Sequence, residues 1–303
     1  MVDVIFAGTI GLDDIETPFG KVKGVLGGSG VYSAYAASFF AKPGIVSIAG
    51  EDLPAEHIRA LESRGISLKG VERKGRNFRW EGFYEFDMNE AKTLRTELNV
   101  LTEFDPKLPE EYRKARYIFL ANVDPDIQLK VLKQIERPEF VVMDTMNFWI
   151  EHKREEIIKV MKKVDVIVLN DGEARQLFNT VNLIQAANEA LKYAKKAVVI
   201  KKGEHGALLF VKEDGKTRHF NAPGYPLENV KDPTGCGDSF GGGFIGFITK
   251  TKDHSDANLR KAVIYGSVIA SFNAEDFSLN RQKKLTKEEI EKRFSEMKEI
   301  REF

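Results

Sequence analysis

The sequence predicts an α/β protein with a central, mostly parallel sheet, and its alternating pattern carries that prediction. Short apolar runs alternate with amphipathic stretches over most of the chain. Such alternation is typical of β-α-β units, in which helices cover both faces of a parallel sheet. The predicted strands are Val4–Ala7, Gly44–Ala49, Tyr117–Ala121, Phe140–Asp144, Val164–Leu169, Ala197–Lys201 and Ala207–Val211. The helical patterns between them include Pro54–Arg64, Asp126–Ile135, Lys153–Lys163 and Leu183–Ala194.

One region, from Arg73 to about Thr102, departs from this pattern. Residues 77–87 alternate polar with aromatic side chains, as expected of a sheet with one covered and one exposed face. Together with the early segment it could form a small β lid over a cleft, made of about 13–26 and 74–101 within a single domain spanning 1–303. An ordinary antiparallel edge of the main sheet fits the same pattern equally well. The final stretch, Leu285–Phe303, predicts a charged amphipathic helix.

Composition narrows the class of protein. A chain of 303 residues with 42% hydrophobic residues can bury a substantial core. Its 46 basic and 46 acidic residues cancel, so we expect neither a nucleic-acid nor a membrane partner. The single cysteine excludes an intramolecular disulfide, and the start of the chain lacks the features of a secretory signal. A cytoplasmic protein is therefore expected.

The most informative motif is Asp232–Gly246, with the sequence DPTGCGDSFGGGFIG. Pro233 and two glycines predict a tight turn, and the apolar run Ser239–Thr249 predicts a buried helix after it. A glycine turn that opens a helix directs backbone N–H groups and the positive end of the helix dipole into one space, which forms an anion hole. Such a hole suits a transferring phosphoryl group, and Asp238 is a candidate general base. A helix cap with turn glycines is the alternative interpretation.

Two further groups of residues are candidates for substrate binding. Gly27-Gly28-Ser29-Gly30 precedes the predicted helix Val31–Phe40, where exposed backbone could contact a substrate; close helix packing explains the glycines as well. Asn122 and Asp144 follow predicted strands, at the sheet edge where open α/β proteins bind ligands. Their side chains could contact substrate hydroxyl groups or approach a phosphate.

In their order along the chain, these segments resemble the motifs of the ribokinase/PfkB carbohydrate kinase family, which includes sugar and nucleoside kinases. An early strand ending in glycine precedes Asp13, and the Gly27-Gly28 pair opens a helix. An Asn-x-x-Glu motif appears as Asn170-Asp171-Gly172-Glu173, and a glycine-containing turn as Lys201–Gly206. The signature Asp-Thr-x-Gly-Ala-Gly-Asp is similar to Asp232–Asp238 and is the most specific of the set.

The resemblance implies a ribokinase-like three-layer α/β sandwich with a small β lid, and phosphoryl transfer from MgATP to an alcohol group. By this analogy Asp238 is the general base, and the backbone N–H groups of Gly235, Cys236 and Gly237 form the anion hole. The resemblance implies that other residues bind Mg²⁺, the nucleotide or the substrate. Asn170 and Glu173 would hold Mg²⁺ through water, while Lys202, Gly203, Gly206 and Thr234 would contact the nucleotide, and Asp13, Gly27 and Gly28 the substrate. A monovalent cation is a further possible cofactor.

Two departures from the family pattern concern the substrate. Ribokinases usually carry asparagine at the positions of Gly11 and Tyr32, so two partners of sugar hydroxyls are missing. This argues against plain ribose specificity. Tyr32 and the aromatic residues of the predicted lid could instead face a flat or apolar group, although a lid core or a dimer contact explains them too. These aromatic residues are Phe78, Trp80 and Phe83.

The leading hypothesis is a kinase of a sugar or sugar-like alcohol. The first alternative is a nucleoside kinase that phosphorylates a ribose 5′-hydroxyl, and the second is a non-catalytic regulator that binds a nucleotide or metabolite. A homodimer through an exposed lid sheet is possible, because unpaired strand edges tend to find partners. Cys236 raises a redox hypothesis, since a helix N-terminus tends to lower the pKa of a thiol; a small buried residue is the alternative.

Overall fold

The strands form two separate sheets in the structure, a computed structural model that describes residues 2–213 and 215–302. In chain order the strands are β1 (Val4–Ala7), β2 (Gly11–Thr17), β3 (Gly20–Gly27), β4 (Pro43–Ala49), β5 (Ser67–Arg73), β6 (Phe78–Phe83), β7 (Lys92–Glu97), β8 (Tyr117–Leu120), β9 (Phe140–Met143), β10 (Val166–Asn170), β11 (Ala197–Lys201), β12 (Ala207–Glu213) and β13 (Lys216–Ala222).

The helices lie mostly between these strands. They are α1 (Ser29–Ala37), α2 (Ala55–Ser63), α3 (Glu110–Arg113), α4 (Pro125–Gln134), α5 (Asn147–His152), α6 (Arg154–Met161), α7 (Asp171–Phe178), α8 (Leu183–Leu191), α9 (Cys236–Thr251), α10 (Asp256–Asn273), α11 (Asn280–Lys284) and α12 (Lys287–Glu299). Short 3₁₀ turns span Asn99–Glu103 and Gly203–His205.

The main sheet has the strand order β13-β12-β11-β10-β9-β8-β1-β4-β5 among the described residues. Neighbours from β11 to β5 are parallel, whereas β12 and β13 are antiparallel additions at one edge. The central strands are apolar along their whole length because both faces are covered: β1, β8 and β9 are buried at every position. One apolar cluster packs on each face of the sheet. The predicted α/β class with a mostly parallel sheet is confirmed.

The second sheet has the order β3-β2-β6-β7. It pairs β2 with β6 in parallel and the outer strands in antiparallel fashion. The interpretation of this region as an edge of the main sheet is therefore wrong, since its strands bond only with one another in the described part of the chain. Within β6, Phe78 and Trp80 occupy one face and Phe83 the other, because successive strand residues alternate. Phe83 instead lies beneath the Lys92 ammonium group.

Helices α1, α9 and α10 pack closely on the same face of the main sheet, and glycines permit the contact. A methyl group at Gly242 would stand 2.0 Å from the Ser33 carbonyl oxygen in α1. On the other side of α9, a methyl group at Gly243 would stand 3.2 Å from the nearest atoms of α10. The two helices α1 and α9 consequently begin side by side, beyond the carboxyl ends of the parallel strands.

None of the helices within residues 2–213 and 215–302 has both the length and the apolar character needed to cross a bilayer.

Replacing Gly242 with alanine should destabilise the fold by about 1–3 kcal/mol, the usual cost of overpacking. Helix propensity alone would predict that the alanine stabilises the fold, by about 1 kcal/mol. The urea midpoint, followed by circular dichroism, measures the change. Gly243→Ala is the graded control, and it should cost less because its nearest contacts lie at 3.2 Å. A Gly242→Ala protein as stable as the original chain would contradict this account of the helix contact.

Candidate active site

The turn before α9 is fixed by buried hydrogen bonds. Asp232 is fully buried, and its carboxylate accepts from the Thr234 N–H (2.9 Å) and the Ser278 N–H (3.2 Å). Gly235 adopts a positive φ of 75°, and a methyl group there would stand 2.4 Å from the Tyr32 ring. Glycine is thus required at this position by conformation and by space.

The backbone N–H groups available to bind an anion at this turn differ by one residue from those that the sequence predicts. The Cys236 N–H donates to the Pro233 carbonyl oxygen (3.0 Å), so the assignment of Cys236 to the anion hole is corrected. The N–H groups of Gly235, Gly237 and Asp238 have no backbone acceptor among the described residues. These groups open a helix of 16 residues, so the positive end of its dipole adds to their attraction for an anion.

Asp238 lies in the first turn of α9, beside a buried group of charged residues. Burial raises the pKa of Asp238 to about 7, and the Asp144 carboxylate raises it further while the Lys201 ammonium lowers it. Burial also raises the pKa of Glu173 to about 8, against the lowering effect of Lys201. The carboxylates of Asp144 after β9, Glu173 in α7 and Asp238 in α9 therefore share one poorly solvated space.

Lys201 is the cation of this group, and sequence reasoning missed it. Its Nζ donates to Asp144 Oδ2 at 2.6 Å, and the two side chains are only 15% and 3% exposed. The sequence assigned the neighbouring Lys202 to the nucleotide instead; Lys202 takes no part in the ion pair. Asp144, expected to contact substrate hydroxyls, is corrected: its carboxylate is buried against Lys201 and also accepts from the Thr145 N–H (2.9 Å).

Asn170 and Glu173 form a capping box at the start of α7. The Asn170 side chain accepts from the Glu173 N–H (2.7 Å), while the Asn170 N–H and side-chain amide donate to the two Glu173 oxygens (2.7 and 2.8 Å). This arrangement satisfies the helix start and fixes the Glu173 carboxylate beside the buried charges. Each carboxylate oxygen keeps a further lone pair for a water or an ion.

The glycine turn after β11 approaches the end of β13 closely. Gly203 and Gly206 have positive φ angles of 56° and 83°, and the Lys202 N–H donates to the Gly206 carbonyl oxygen (2.7 Å). A methyl group at Gly206 would stand 2.1 Å from the Ala222 carbonyl oxygen. Backbone therefore packs closely against backbone at this turn, which follows Lys201 at the end of β11.

A further buried carboxylate, that of Asp13, lies in β2 next to the start of α1. It is 4% exposed, and a methyl group at Gly27 would fall 1.8 Å from its Oδ2, so glycine is needed beneath it. Burial raises the pKa of Asp13 to about 8, with smaller contributions from Asp232 and Asp238. Gly28, the N-cap of α1, has a φ of 102° and lies against the Thr9 carbonyl oxygen. The predicted residues Asp13, Gly27 and Gly28 are thus brought together near Asp238.

Tyr32 and Asn122, which were predicted to contact the substrate, are occupied by contacts within the protein. Tyr32 is 1% exposed, and its ring packs beneath Gly235, so the expectation that it faces a substrate is corrected. Its hydroxyl is buried without a hydrogen-bond partner within the described residues. The Asn122 side chain accepts from the Trp149 indole N–H (3.0 Å) and donates to the Met146 sulfur (3.1 Å). The main-chain carbonyl oxygen of Asn122 accepts from the Ser29 hydroxyl (2.7 Å).

The small sheet reaches the glycine turns through its β6–β7 connection, a contact that the sequence did not reveal. Thr234, predicted to bind nucleotide, donates its hydroxyl to the Tyr84 hydroxyl oxygen (3.2 Å). Burial raises the pKa of Tyr84, which lies close enough to Asp232 and Cys236 for their charges to contribute. Asn89 lies against Gly203, where a methyl group would meet its Oδ1 at 2.2 Å. The sheet therefore covers both turns.

Burial shifts the pKa of the Cys236 thiol in the direction opposite to that expected at a helix N-terminus. The pKa of its thiol is raised to about 12, chiefly by burial, and the Asn273 amide offsets only part of that rise. The sulfur lies 3.5 Å from the Ala270 carbonyl oxygen and from the Asn273 side-chain nitrogen. The expected lowering of the thiol pKa is wrong, and the redox hypothesis loses its physical basis.

These features define a kinase of the carbohydrate kinase class. The model of the pfkB family of carbohydrate kinases matches residues 13–284, and the chain belongs to that family.

Three proteins illustrate the similarity. Cytidine kinase of Thermococcus kodakarensis is 29% identical over 250 residues, covering 81% of this chain and 88% of that protein. The structure of Methanocaldococcus jannaschii nucleoside kinase, an archaeal member of the ribokinase family, superposes with a TM-score of 0.77 at 20% identity, covering 97% and 98% of the two chains. Burkholderia thailandensis nucleoside kinase in complex with inosine has a TM-score of 0.72 at 18% identity, with the same coverage. Both structures establish the ribokinase-like fold.

The raised carboxyl pKa values predict how the stability of the unliganded protein changes with pH. The pKa values of Asp13 and Asp238 rise from 3.8 in ordinary surroundings to about 8 and about 7. Between these limits the folded chain binds more protons than the unfolded chain, so stability should fall as pH rises from about 4 to about 8. In Asp13→Asn, the loss of unfolding free energy over this pH range should be smaller by on the order of 1 kcal/mol or more, since one pKa unit corresponds to about 1.4 kcal/mol.

Urea midpoints at about pH 5.5 and pH 8.5 test this prediction, because they bracket most of the titration. Glu62→Gln, an exposed site on α2, is the control and should leave the decline unchanged. Equal declines in the Asp13→Asn and original proteins would show that Asp13 is not a strained buried carboxyl group.

Proposed function

We propose that this kinase transfers the γ-phosphoryl group of ATP to an alcohol group of a ribonucleoside, with Asp238 as the general base. The proposal depends on the position of Asp238, which lies near Asp13 and shares the first turn of α9 with Gly237, whose N–H group has no backbone acceptor in the described part of the chain. A carboxylate and an anion-binding turn are the two elements that phosphoryl transfer from a hydroxyl nucleophile requires.

In the proposed step, Asp238 accepts the proton of the substrate hydroxyl as its oxygen attacks the γ-phosphorus. The bond from that phosphorus to the bridging oxygen of ATP breaks, and ADP leaves with the bonding electron pair. The backbone N–H groups hold the negative charge of the phosphoryl oxygens. A pKa of about 7 suits Asp238 to this task, because a base works best when its pKa lies near the working pH.

The residues present fit MgATP. Asn170 and Glu173 supply oxygen donors, and the remaining lone pairs of the Glu173 carboxylate could accept hydrogen bonds from metal-bound water. Mg²⁺ at this place would neutralise phosphate charge. Lys202, Gly203, Gly206 and Thr234 would lie along the nucleotide, with close backbone approach at the two glycines. A cavity of about 370 Å³ lies beside Tyr225 and Glu275.

A nucleoside is favoured as acceptor over a free sugar. Buried Asp13 can accept hydrogen bonds from vicinal hydroxyls of either substrate. The Phe78 ring lies beside it, since a methyl group at Gly11 would meet Phe78 at 2.8 Å and Asp13 at 3.4 Å. An aromatic face next to the hydroxyl-binding carboxylate suits a substrate that also carries a flat base. The relatives named as cytidine and nucleoside kinases support the same choice.

A free sugar or sugar-like alcohol is the second candidate, because Asp13 would serve it equally well. A non-catalytic regulator is the least supported, since Asp238 and the turn before α9 are both intact. We also propose that the second sheet serves as the lid, because Tyr84 and Asn89 contact the two glycine turns. A homodimer through that sheet stays a prediction, to which exposed Leu94 on its edge strand β7 adds support.

A screen of acceptors tests the substrate class. With ATP and Mg²⁺, we expect cytidine or another ribonucleoside to show a kcat/KM at least about 10-fold above that of ribose, because the base adds binding energy that ribose lacks. ADP formation should be measured with pentoses, hexoses, inositol and the common ribonucleosides at equal concentrations. Faster turnover of a free sugar would favour the second candidate, and no turnover with any acceptor would contradict both.

Asp238→Asn tests the mechanism. The variant should lose about 10²- to 10⁴-fold in kcat, as is typical when a general base is removed, and should bind ADP nearly as tightly as the original protein. Asp253→Asn, near the opposite end of α9, is the matched control and should keep full activity. Comparable turnover in Asp238→Asn and the original protein would exclude Asp238 as the base.

A further inference from the structure

The Lys201–Asp144 ion pair is buried at the centre of the candidate site. Lys201 ends β11 and Asp144 follows β9, so the pair spans the intervening strand β10 at the carboxyl edge of the sheet. The Nζ to Oδ2 distance is 2.6 Å, and both side chains are largely removed from solvent. Removing an ammonium group from water is costly unless several partners satisfy it.

We propose that Lys201 is a catalytic residue that binds the phosphoryl group being transferred, and that Asp144 is a positioning residue that holds the Lys201 ammonium group in place. This inference rests on the proposed function and deepens it, because it assigns the cation that faces the reacting group.

Gly237 provides the geometric argument. A methyl group at Gly237 would stand 3.2 Å from Lys201 Nζ, so the ammonium group lies beside the first turn of α9. The Gly237 N–H has no backbone acceptor within the described residues. An anion that accepts from this N–H therefore comes within reach of Nζ. Glycine keeps the approach open, although alanine would favour the helix by about 1 kcal/mol.

The hydrogen-bonding capacity of Lys201 supports the same assignment. An ammonium group has three N–H donors, and Asp144 is the hydrogen-bond acceptor of Nζ in the described chain. The remaining donors can serve a phosphoryl oxygen without breaking the pair. Because Asp144 fixes Nζ in advance, no side-chain ordering is needed when the ligand arrives, which is the arrangement that stabilises a developing charge most effectively.

The competing explanation is that the ion pair only stabilises the fold. The two explanations predict different activities for a variant that removes the charge of Lys201. Lys201→Met should lower kcat by about 10²- to 10³-fold, the usual loss for one donor to a transition-state charge. ADP lacks the transferred group, so its dissociation constant should change by less than about threefold. Lys196→Met, just before the opposite end of β11, is the matched control and should retain activity. The acceptor is the ribonucleoside or sugar with the highest turnover in the original protein.

A double-variant comparison separates positioning from independent action. If Asp144 acts only through Lys201, Asp144→Asn should lower kcat less than Lys201→Met, and the double variant should be no worse than Lys201→Met. Losses that multiply would overturn the role of Asp144. A kcat of Lys201→Met within about threefold of the original value would overturn the role of Lys201. Should the single variant fail to fold, the double variant, which removes both charges of the Lys201–Asp144 pair, replaces it.

The pH profile gives a second readout, which tests whether the pair lies close enough to Asp238 to act on its charge. The Lys201 ammonium lowers the pKa of Asp238 and the Asp144 carboxylate raises it. The acidic limb of kcat/KM should therefore move to higher pH in Lys201→Met and to lower pH in Asp144→Asn. Identical limbs in all three proteins would contradict the proposal.

Failure of this inference can be told apart from failure of the proposed function. If the original protein turns over an acceptor and Lys201→Met equals it, only the role of Lys201 is wrong. If the original protein turns over none, binding of ATP and ADP decides: Lys201→Met should weaken ATP binding more than ADP binding. Equal weakening would overturn the role of Lys201, and an original protein that binds neither nucleotide would overturn both proposals.

Discussion

The packing of α1 against α9 determines where the candidate site lies. The backbones approach at Gly242 and Ser33, and the Tyr32 ring fills the space beneath Gly235. Both helices must then begin at the same edge of the main sheet, with the positive ends of their dipoles directed into one space. Asp13 in β2, whose carboxylate lies against Gly27 just before α1, is thereby close enough to Asp238 for the Asp238 carboxylate to raise the pKa of Asp13.

The same geometry concentrates negative charge out of water. Asp13, Glu173 and Asp238 all have pKa values raised mainly by burial, and Lys201 is the cation whose charge opposes that rise at two of them. A site of this kind is less stable empty than an apolar one would be, because each ionised carboxyl group is poorly solvated. Binding of a cation together with hydroxyl donors would lower the free energy of these carboxylates. Stability and ligand binding are therefore coupled at the same residues.

Much of the fold follows from local pattern, and the exceptions have physical reasons. The parallel strands are detectable because burial on both faces makes them continuous apolar runs. Helix α10 was not predicted: it is buried over most of its surface and lacks the polar face that gives an amphipathic period. Strand β13 was missed for the opposite reason, since it is exposed at five of its seven positions and carries mainly polar residues. In both cases tertiary contacts, rather than sequence period, decide the structure.

Some residues of the candidate site can likewise be located from local sequence pattern, and others cannot. The turn around Asp238 is local, so its glycines and its carboxylate can be located from the sequence alone. Lys201 and Lys202 are adjacent and chemically alike, and only the alternation and register of β11, which pairs Lys201 with Asn170, decide which one enters the buried group. For Cys236 the local rule gave the wrong sign, because burial outweighs the helix dipole.

The second sheet, which we propose as the lid, is held differently at its two ends. Its base is fixed at Asn77, a fully buried residue whose side chain accepts from the Gly50 N–H (2.8 Å) and donates to the Ile10 carbonyl oxygen (3.3 Å). Its tip is held by less, chiefly the Thr234 to Tyr84 hydrogen bond, while Phe86 beside it is 90% exposed. A single hydrogen bond of this kind contributes about 1 kcal/mol. If the second sheet serves as the proposed lid, we expect its tip to open at lower cost than its base, so that a ligand would enter without unfolding of the sheet.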